Sequence, residues 1–287
     1  MSIRKAILPA AGLGTRFLPV TKALPKEMLP IVDKPLIQYT VEETMISGVD
    51  NIIIVTGRGK SAIEDHFDVS YELEKVLQGK GKFDLLEQVE KISRLINIVY
   101  VRQKEALGVG HAVLVAKELI GQEPFAVLFA DDLIDAEEPC LKQLINVFDQ
   151  YKCSVLAIQE VREEEIEKYG VIKAGKLGAS LFEVEDLVEK PPLSKAPSNL
   201  AIIGRYILTP EIFEELQNTK PDATGEIQLT NGLRSLLNKQ KIMAYQFQGT
   251  RYDAGNKLGF LQATVELALK SKDLGEEFRA YLKSLSF

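Results

Sequence analysis

A glycine turn near the start of the sequence has the composition of a phosphate-binding loop. Gly12 and Gly14 lie just beyond residues 5–9 (KAILP), which predict a short buried strand that runs into this turn. Because glycine allows close approach and unusual backbone angles, N–H groups in such a turn can surround phosphate oxygens. The turn lacks the Lys-Ser/Thr pair of a Walker A loop, and Phe17 stands where a dinucleotide-binding fingerprint needs a small residue. Taken alone, the motif is equally compatible with an ordinary tight turn.

Three cations follow the glycine turn at intervals. Arg16, Lys22 and Lys26 are separated by Pro19 and Pro25, which predict an extended rather than a helical segment. An extended basic segment beside a glycine turn can place several cations along a triphosphate. Without the neighbouring glycines, solvated surface would be the better interpretation of the two lysines.

Carboxylates in two distant segments are candidates for binding a metal ion. Asp131 and Asp132 follow the apolar run 125–130, and open α/β sheets bind ligands at the carboxyl ends of their strands. Mg²⁺ takes one or two carboxylates together with substrate phosphates. Since neighbouring side chains on a strand point to opposite faces, we expect only one of the two acids to be a direct ligand. Capping of a helix is the alternative for this pair, and an Asx turn is the alternative for Asp253.

Few residues remain for other chemistry. The only histidines, His66 and His111, lie far apart in sequence and outside any HExxH motif, which disfavours a multi-histidine zinc site. No GxSxG elbow supports a serine hydrolase. Cys140 and Cys153 form no CxxC pair, so nothing indicates an oxidising compartment.

The overall composition is that of a soluble globular protein. Of 287 residues, 46% are hydrophobic and 26% are charged, and the net charge of −6 argues against nucleic-acid binding. No apolar stretch reaches the roughly 18 residues of a membrane span, and we see no cleavage site near the first residues. We therefore predict a cytoplasmic protein that associates with neither nucleic acid nor membrane.

The elements that must position these residues alternate between strand and helix. Strands are predicted at 5–9, 51–56, 96–101 and 125–130, and helices at 35–47, 59–67 and 111–119. This alternation predicts an α/β fold with a doubly wound, mostly parallel sheet. Shorter runs at 155–158 and 170–173 indicate that antiparallel strands join it.

Two segments depart from the alternation. The charged stretch 71–96 has leucines at helical intervals around Gly79 and Gly81, and it predicts an inserted helical hairpin over 71–95. Residues 255–287 are predicted to be helical, as core or as an interface, with core the safer interpretation. We expect one domain over residues 1–287.

The segment GLGTRFLPVTKALPKEMLPIVDKPLIQY, residues 12–39, resembles the signature of the sugar-1-phosphate nucleotidylyltransferases, and the similarity covers nearly the whole chain. The insert at 65–86 and the Pro-Lys-Glu at 25–27 are similar to the uridylyltransferases of that family, whereas its thymidylyltransferases usually have Ser-Lys-Gln there. The resemblance implies a Rossmann-like fold, a homo-oligomer (dimer or tetramer) and dependence on Mg²⁺. It also implies the reaction of UTP with glucose 1-phosphate to give UDP-glucose and pyrophosphate.

The resemblance further implies roles for individual residues, with Gln103 reading the uracil edge. Phosphate charge during catalysis would be neutralised by Arg16, Lys26 and Lys190. Nucleotide contacts would come from Ala10, Ala11, Gly12, Gly14, Thr15, Glu27, Gln103 and Gly108, and sugar contacts from Gly170, Glu189, Lys190, Asn199, Gly204 and Glu226. Asp131 and Asp253 would hold Mg²⁺. Ala130 and Asn231 depart from the residues usual in the family, which are Pro or Gly and Asp.

The implied reaction is an in-line attack by an anionic sugar phosphate, which needs no general base and agrees with the shortage of histidine. Three alternatives stay open. The chain could use another base or sugar, as thymidylyltransferases and mannose-1-phosphate guanylyltransferases do. It could be a nucleotide-sugar sensor without activity. A nicotinamide dehydrogenase fits the α/β pattern but lacks the glycine fingerprint.

Overall fold

A nine-stranded mixed sheet forms the centre of the protein, in a computed structural model that describes residues 2–286. The strands in chain order are β1 (Lys5–Ala10), β2 (Pro30–Ile31), β3 (Lys34–Pro35), β4 (Asn51–Thr56), β5 (Asn97–Arg102), β6 (Phe125–Leu128), β7 (Asp132–Asp135), β8 (Ser154–Glu160), β9 (Gly170–Lys176), β10 (Leu181–Glu189), β11 (Leu200–Leu208), β12 (Ile242–Gln246) and β13 (Thr250–Asp253). The helices are α1 (Leu36–Ile46), α2 (Ser61–Phe67), α3 (Tyr71–Gly79), α4 (Phe83–Ser93), α5 (Val109–Val115), α6 (Lys117–Ile120), α7 (Cys140–Tyr151), α8 (Ile212–Asn218), α9 (Leu229–Leu236), α10 (Lys257–Lys270) and α11 (Gly275–Ser284).

The large sheet has the strand order β5-β4-β1-β6-β11-β8-β12-β10-β9. Its pairings make β10 and β11 antiparallel to their neighbours, while the other seven strands run in one direction. The predicted doubly wound, mixed and mostly parallel sheet is therefore confirmed. Two short ribbons accompany it, β2 with β3 and β7 with β13.

Side chains along the central strands alternate between the two faces of the sheet, and both faces are covered. In β4, Ile52 and Ile54 pack into one buried cluster while Ile53 and Val55 pack into the other. Successive side chains on a strand point to opposite faces, so a strand covered on both sides must be apolar throughout. The continuous run 51–56 follows this rule, and its predicted bounds match β4.

The inserted hairpin and the terminal helices are present as predicted. Helices α3 and α4 occupy the 71–95 insert and pack on each other. The predicted helical region 255–287 contains α10 and α11, and its last residue lies outside the described residues. The predicted helix 111–119 is divided at Ala116 into α5 and α6. No helix among residues 2–286 combines the length and hydrophobicity needed to cross a membrane.

The basic segment after the glycine turn differs from the sequence prediction. Instead of an extended chain it contains three 3-10 turns, at Thr15–Phe17, Val20–Lys22 and Lys26–Met28. Pro19 and Pro25 immediately precede the second and third turns. A proline ring fixes φ and removes an N–H that the start of a helical turn leaves without an intrahelical partner, so it can begin such a turn.

Candidate active site

A cleft of about 820 Å³ brings together residues from both halves of the chain. Eight of the predicted site residues line it, namely Arg16, Asp131, Gly170, Glu189, Lys190, Gly204, Glu226 and Asp253. Lys26 does not line the cleft itself, but it forms an ion pair with Asp131, which does. The cleft is therefore lined by both predicted metal ligands, by predicted sugar-binding residues and by predicted phosphate-binding cations.

Lys26 and Asp131 form a close ion pair at the cleft. Lys26 Nζ donates a hydrogen bond to Asp131 Oδ2 at 2.5 Å, and both side chains are about one-quarter exposed. Burial alone would raise the pKa of Asp131, but the charge and hydrogen bond of Lys26 outweigh it and hold that pKa below its usual value. Burial alone would lower the pKa of Lys26, and the charges of Asp131 and Glu27 reverse the direction. Both groups therefore keep their charges.

Asp131 and Asp253 converge on Gly255. A Cβ added at Gly255 would lie 2.8 Å from Asp131 Oδ2 and 3.0 Å from Asp253 Oδ1, so only a glycine leaves the space between the carboxylates open. The ribbon of β7 and β13 brings the segments together, because it pairs Asp132 with Asp253. Asp253 is oriented by hydrogen bonds from Gly255 N to Oδ1 at 3.1 Å and from the Tyr169 hydroxyl to Oδ2 at 3.4 Å.

This arrangement fits a hard divalent cation that binds between protein and substrate. Among residues 2–286, no group of three or more histidine, cysteine or acidic side chains is placed to hold a metal ion. A cation between Asp131 and Asp253 would therefore complete its shell with phosphate oxygens and water, as Mg²⁺ commonly does.

Asp132 is bound into the protein by both of its oxygens. Oδ2 accepts from Gly204 N at 2.8 Å, and Oδ1 accepts from Arg251 Nε at 2.5 Å. Burial raises the pKa of Asp132, and the positive charge of Arg251 opposes this effect. Arg251 also donates to the Tyr169 hydroxyl at 3.1 Å, which links Asp132 to the partner of Asp253. Of the two adjacent acids, Asp131 is thus the one with a more exposed side chain.

A buried arginine fixes the turn that carries Asp131. Arg205 in β11 is 1% exposed, and its guanidinium donates to the backbone oxygens of Phe129 and Asp132, both at 2.8 Å. The same group forms a two-pronged ion pair with Glu43 of α1, with an Arg205 Nη2 to Glu43 Oε2 distance of 2.8 Å. Glu43 in turn accepts from Leu141 N at the start of α7. Sequence reasoning missed this network, although a charged residue inside the apolar run of β11 was its available signal.

The predicted sugar side is built around Glu189. Thr230 Oγ1 donates to Glu189 Oε2 at 2.6 Å, and Lys190 Nζ lies 3.2 Å from Glu189 Oε1. A Cβ at Gly170 would lie 2.9 Å from Thr230 Oγ1 and 3.1 Å from Glu189 Oε2, so this position requires glycine. Lys190 has a φ of 43°, a left-handed conformation that is rare for residues with a side chain. Thr230 was not predicted individually.

A loop organised by Asp222 carries Glu226 into the cleft. The Asp222 carboxylate accepts from Thr224 N at 2.8 Å, from Glu226 N at 3.1 Å and from Gln228 Nε2 at 2.8 Å. The side-chain hydrogen bonds of Thr224 and Gln228 hold the pKa of Asp222 well below its usual range. Glu226 was predicted as a sugar contact, but the role of Asp222 in organising this 222–228 loop was missed.

The 222–228 loop is joined to the loop that follows β5. Ile227 N donates to Leu107 O, and Gly110 N donates to Ile227 O, both at 2.8 Å. A Cβ at Gly108 would lie 2.8 Å from Glu226 Cβ, so the two loops are also in close contact. The predicted nucleotide-side and sugar-side loops therefore share backbone hydrogen bonds.

The predicted nucleotide-binding residues gather at the carboxyl edge of the parallel strands, outside the lining of the 820 Å³ cleft. Ala10, Thr56 and Arg102 lie side by side at the ends of β1, β4 and β5. Gln103 N donates to Thr56 O at 2.9 Å, and a Cβ at Gly57 would lie 3.0 Å from Ala11 O. The loops that continue from these strands carry Ala11, Gly12, Gly14, Thr15, Gln103 and Gly108.

Glu27 and Lys60 form a buried ion pair beside these loops. Lys60 Nζ donates to Glu27 Oε2 at 2.7 Å, and the Glu27 side chain is 1% exposed. Glu27 Oε1 is the one buried side-chain polar atom within residues 2–286 that has no hydrogen-bond partner. Burial raises the pKa of Glu27, while the charge of Lys60 opposes the shift.

Asn199 is not brought to the cleft. It is exposed just before β11, and its backbone oxygen accepts from Val161 N at 3.0 Å. Gly204 lies mid-strand in β11 and does line the cleft. The two positions, which the resemblance had placed in one pocket, are separated because Asn199 lies before the start of β11 and Gly204 lies within it.

The similarity to known proteins extends over nearly the whole chain. The family model described as nucleotidyl transferase matches residues 5–270. A UTP–glucose-1-phosphate uridylyltransferase of Staphylococcus epidermidis is 54% identical over 283 residues, which cover 99% of this chain and 98% of that protein.

Solved structures show the same similarity in three dimensions. A UDP-glucose pyrophosphorylase in complex with UDP-glucose has a TM-score of 0.86 and 50% identity, covering 94% of this chain and 100% of that one. A UTP-bound enzyme from Acinetobacter baumannii, abbreviated UGPase, has a TM-score of 0.92 and 38% identity, covering 99% and 100% of the two chains.

Proposed function

The chain belongs to the nucleotidyl transferase family, and we propose that it transfers the uridylyl group of UTP to glucose 1-phosphate, giving UDP-glucose and pyrophosphate. The observation that carries this proposal is the convergence of Lys26, Asp131 and Asp253 at one cleft, in a chain 54% identical to a uridylyltransferase over its length. Because an anionic acceptor and an anionic donor must meet, such a site needs positive charge more than it needs a base.

The reaction is an in-line attack of a phosphate oxygen of glucose 1-phosphate on the α-phosphorus of UTP. The new oxygen–phosphorus bond forms as the bond from the α-phosphorus to the pyrophosphate oxygen breaks. The acceptor oxygen is already ionised, so no general base is required and no covalent enzyme intermediate forms.

Repulsion between the two substrates is the main obstacle. Two unit charges about 5 Å apart repel by roughly 3 kcal/mol at an effective dielectric constant of about 20. Arg16 and Lys26 neutralise the triphosphate, and Lys190 neutralises the phosphate of the sugar. Lys26 can exchange its contact with Asp131 for a phosphate oxygen, because Asp131 lines the cleft and both side chains are about one-quarter exposed. Catalysis is then positioning together with charge stabilisation.

The family generally uses a divalent metal ion, and we propose Mg²⁺ held by Asp131 and Asp253. When bound, Mg²⁺ supplies positive charge to the phosphate oxygens and helps to orient them. The support for this assignment is the open space that Gly255 leaves between the two carboxylates. Asp132 positions Arg251 and Gly204 instead.

The remaining contacts follow the two sides of the site. We propose that the uracil and ribose are held at the strand edge by Ala10, Ala11, Gly12, Gly14, Thr15, Glu27, Gln103 and Gly108. We propose that the hexose is held by Gly170, Glu189, Gly204 and Glu226. The contact between Thr230 and Glu189 supports this role, because it fixes a carboxylate that can accept from sugar hydroxyls.

We also propose that the chain acts as one domain, as a homo-oligomer and in the cytoplasm. The proposal of one domain is supported by a single large sheet to which both halves of the chain contribute strands. The proposal of a homo-oligomer is supported by the apolar side chains of Leu258 and Leu261 in α10, which are more than half exposed. Light scattering of the purified protein would test the oligomer, and a monomeric mass would contradict it.

A substrate panel tests the proposed reaction. Pyrophosphate release is measured with glucose 1-phosphate and each of UTP, dTTP, GTP and CTP, with Mg²⁺ and with a chelator. We expect UTP to react fastest and the chelator to abolish turnover. Faster turnover of dTTP or GTP would assign the chain to another base. Absence of release with every triphosphate, together with binding of UDP-glucose, would indicate a sensor without activity.

A further inference from the structure

The side-chain amide of Gln103 is held by two acceptors. Gln103 is 6% exposed, and its Nε2 lies 3.1 Å from Gly108 O and 2.8 Å from Nδ1 of His111. An amide nitrogen carries two hydrogens, so these two contacts use its whole donor capacity. The amide is therefore fixed at one end by a backbone carbonyl and by an imidazole.

The chemistry of the two partners determines which way the amide faces. The carbonyl oxygen of Gly108 can only accept, so the atom of Gln103 that faces it must be the nitrogen. With that orientation set, His111 Nδ1 also meets an N–H and must act as an acceptor. The ring of His111 is then neutral, with its hydrogen on Nε2.

The carbonyl oxygen of Gln103 is left for a ligand. Gln103 Oε1 accepts no hydrogen bond from any residue between 2 and 286, and it is not among the buried atoms that lack a partner, so it retains some exposure. The residue follows β5 at the carboxyl edge of the sheet and contacts the end of β4, the strand that lies between β5 and β1. The glycine turn follows β1 at the same edge. This is the side to which we assign the nucleotide base.

We propose that His111 is a specificity-determining residue, which with the Gly108 carbonyl presents only the carbonyl oxygen of Gln103 to the base. The ligand class selected is a pyrimidine with a ring N–H donor at N3. Uracil and thymine have this donor, whereas cytosine in the same pose turns an N3 lone pair towards Oε1. A buried polar group that meets the wrong partner discriminates strongly, because it loses its hydrogen bond without regaining water.

The inference rests on the proposed function, since it assumes that Gln103 faces the base of the triphosphate. It also predicts that this contact does not separate UTP from dTTP, which share the N3–H group. Any preference between those two must arise from other residues. The role of His111 is to position Gln103, with no contact to the reacting atoms.

Kinetics with three triphosphates test the proposal. His111→Phe keeps a planar ring but removes the acceptor, so a buried N–H of Gln103 loses its partner, at a cost of about 1–3 kcal/mol, or about 5- to 150-fold in affinity. We expect the KM for UTP and dTTP to rise together within this range, the preference for UTP over CTP to narrow, and the KM for glucose 1-phosphate to stay within about twofold. His111→Asn, which restores an oxygen acceptor on a shorter side chain, should recover part of the loss.

His66 provides the matched control, because the sequence contains only two histidines and His66 lies on α2 in contact with Gln38. His66→Gln should leave the ratio of kcat/KM for UTP to that for CTP unchanged. An unchanged ratio and an unchanged KM for UTP in His111→Phe would overturn the proposal.

A second measurement does not depend on turnover or on the folding of a variant. Nitrogen NMR of the wild-type imidazoles, with His66→Gln to assign the signals, reports which ring nitrogen carries hydrogen at neutral pH. We expect His111 to be protonated at Nε2 alone, and a hydrogen on Nδ1 would overturn the proposed amide orientation. If the wild type uses no triphosphate, the proposed function fails while the amide orientation remains testable by this spectrum.

Discussion

Asp131 Oδ2 lies 2.5 Å from the ammonium group of Lys26 and faces the same open point as Asp253 Oδ1. One carboxylate thus joins a proposed phosphate-binding cation to a proposed metal position. Its immediate neighbour, Asp132, has both oxygens engaged by Gly204 and Arg251. Adjacent residues of the same type therefore have opposite environments, and substitutions should separate their roles.

Asp131→Ala should abolish most of the activity and leave the fold intact. Loss of a group that stabilises charge in the transition state commonly lowers kcat by about 100-fold or more. The Asp131 side chain is about one-quarter exposed, whereas that of Asp132 is 9% exposed, so we expect the free energy of unfolding to fall by less than it does in Asp132→Asn. Pyrophosphate release and urea denaturation measure the two effects, and Mg²⁺-dependent turnover near that of the wild type would remove Asp131 as a ligand.

Asp132→Asn should instead act mainly on stability. The change neutralises the partner of Arg251 and places an amide donor against either Arg251 or Gly204 N, and breaking a buried pair costs about 3–5 kcal/mol. We expect a clear fall in the urea midpoint that exceeds the one caused by Asp131→Ala. Equal midpoints in the two variants would contradict the assignment of Asp132 as a structural acid.

Arg205→Met should destabilise the protein, and adding Glu43→Gln should restore part of the loss. The single substitution leaves Glu43 buried with a charge and without its guanidinium partner, which costs about 3–5 kcal/mol. The second substitution removes that charge, so the two effects should not be additive. A double-mutant cycle by urea denaturation measures the coupling, and additive losses would show that the ion pair contributes little.

Lys190→Ala should weaken the binding of glucose 1-phosphate more than that of UTP. A hydrogen bond between charged groups contributes about 1.5–3 kcal/mol, which corresponds to a rise of roughly 10- to 100-fold in the KM for the sugar phosphate. Lys195→Ala is a suitable control, because Lys195 is an exposed lysine just beyond the site. Initial rates with each substrate varied in turn separate the effects, and a larger rise in the KM for UTP would reassign Lys190 to the triphosphate.

The contribution of Asp222 to the free energy of unfolding should depend on pH only under acidic conditions. A carboxylate whose pKa is lowered by folding adds stability above its unfolded value of about 3.9 and loses it as pH falls through the folded value. The pKa of Asp222 lies well below the usual range. The difference in unfolding free energy between wild type and Asp222→Ala should therefore be constant from about pH 5 to 8 and shrink below about pH 4. A difference that changes between pH 6 and 8 would contradict this account.

The sequence predicted those parts of the fold whose signal is local. The strand β4 is a continuous β-branched run, and the two helices of the insert have leucines at helical spacing, so neighbouring residues alone indicate each element. The 3-10 turns after Gly14 were missed because proline is compatible both with an extended chain and with the start of a turn.

Features of the site that depend on distant contacts were harder to predict. Asp131 and Asp253 were paired by resemblance, and nothing within either segment indicates that β7 and β13 bring them together. Arg205 was visible only as a charge inside an apolar strand, since its partners lie on α1 and in the turn before β7. Asn199 was assigned to the sugar pocket because its residue type matches the family, yet it does not line the cleft.

Ile227 is hydrogen-bonded to Leu107 in the loop after β5 and to Gly110 in the first turn of α5, and these two contacts restrict how the loops can move. Neither loop can swing outward by itself, since each would pull the other with it or lose contacts that contribute about 1 kcal/mol apiece. Entry of the nucleotide on the base side and release of product on the hexose side would therefore require one shared motion of both loops.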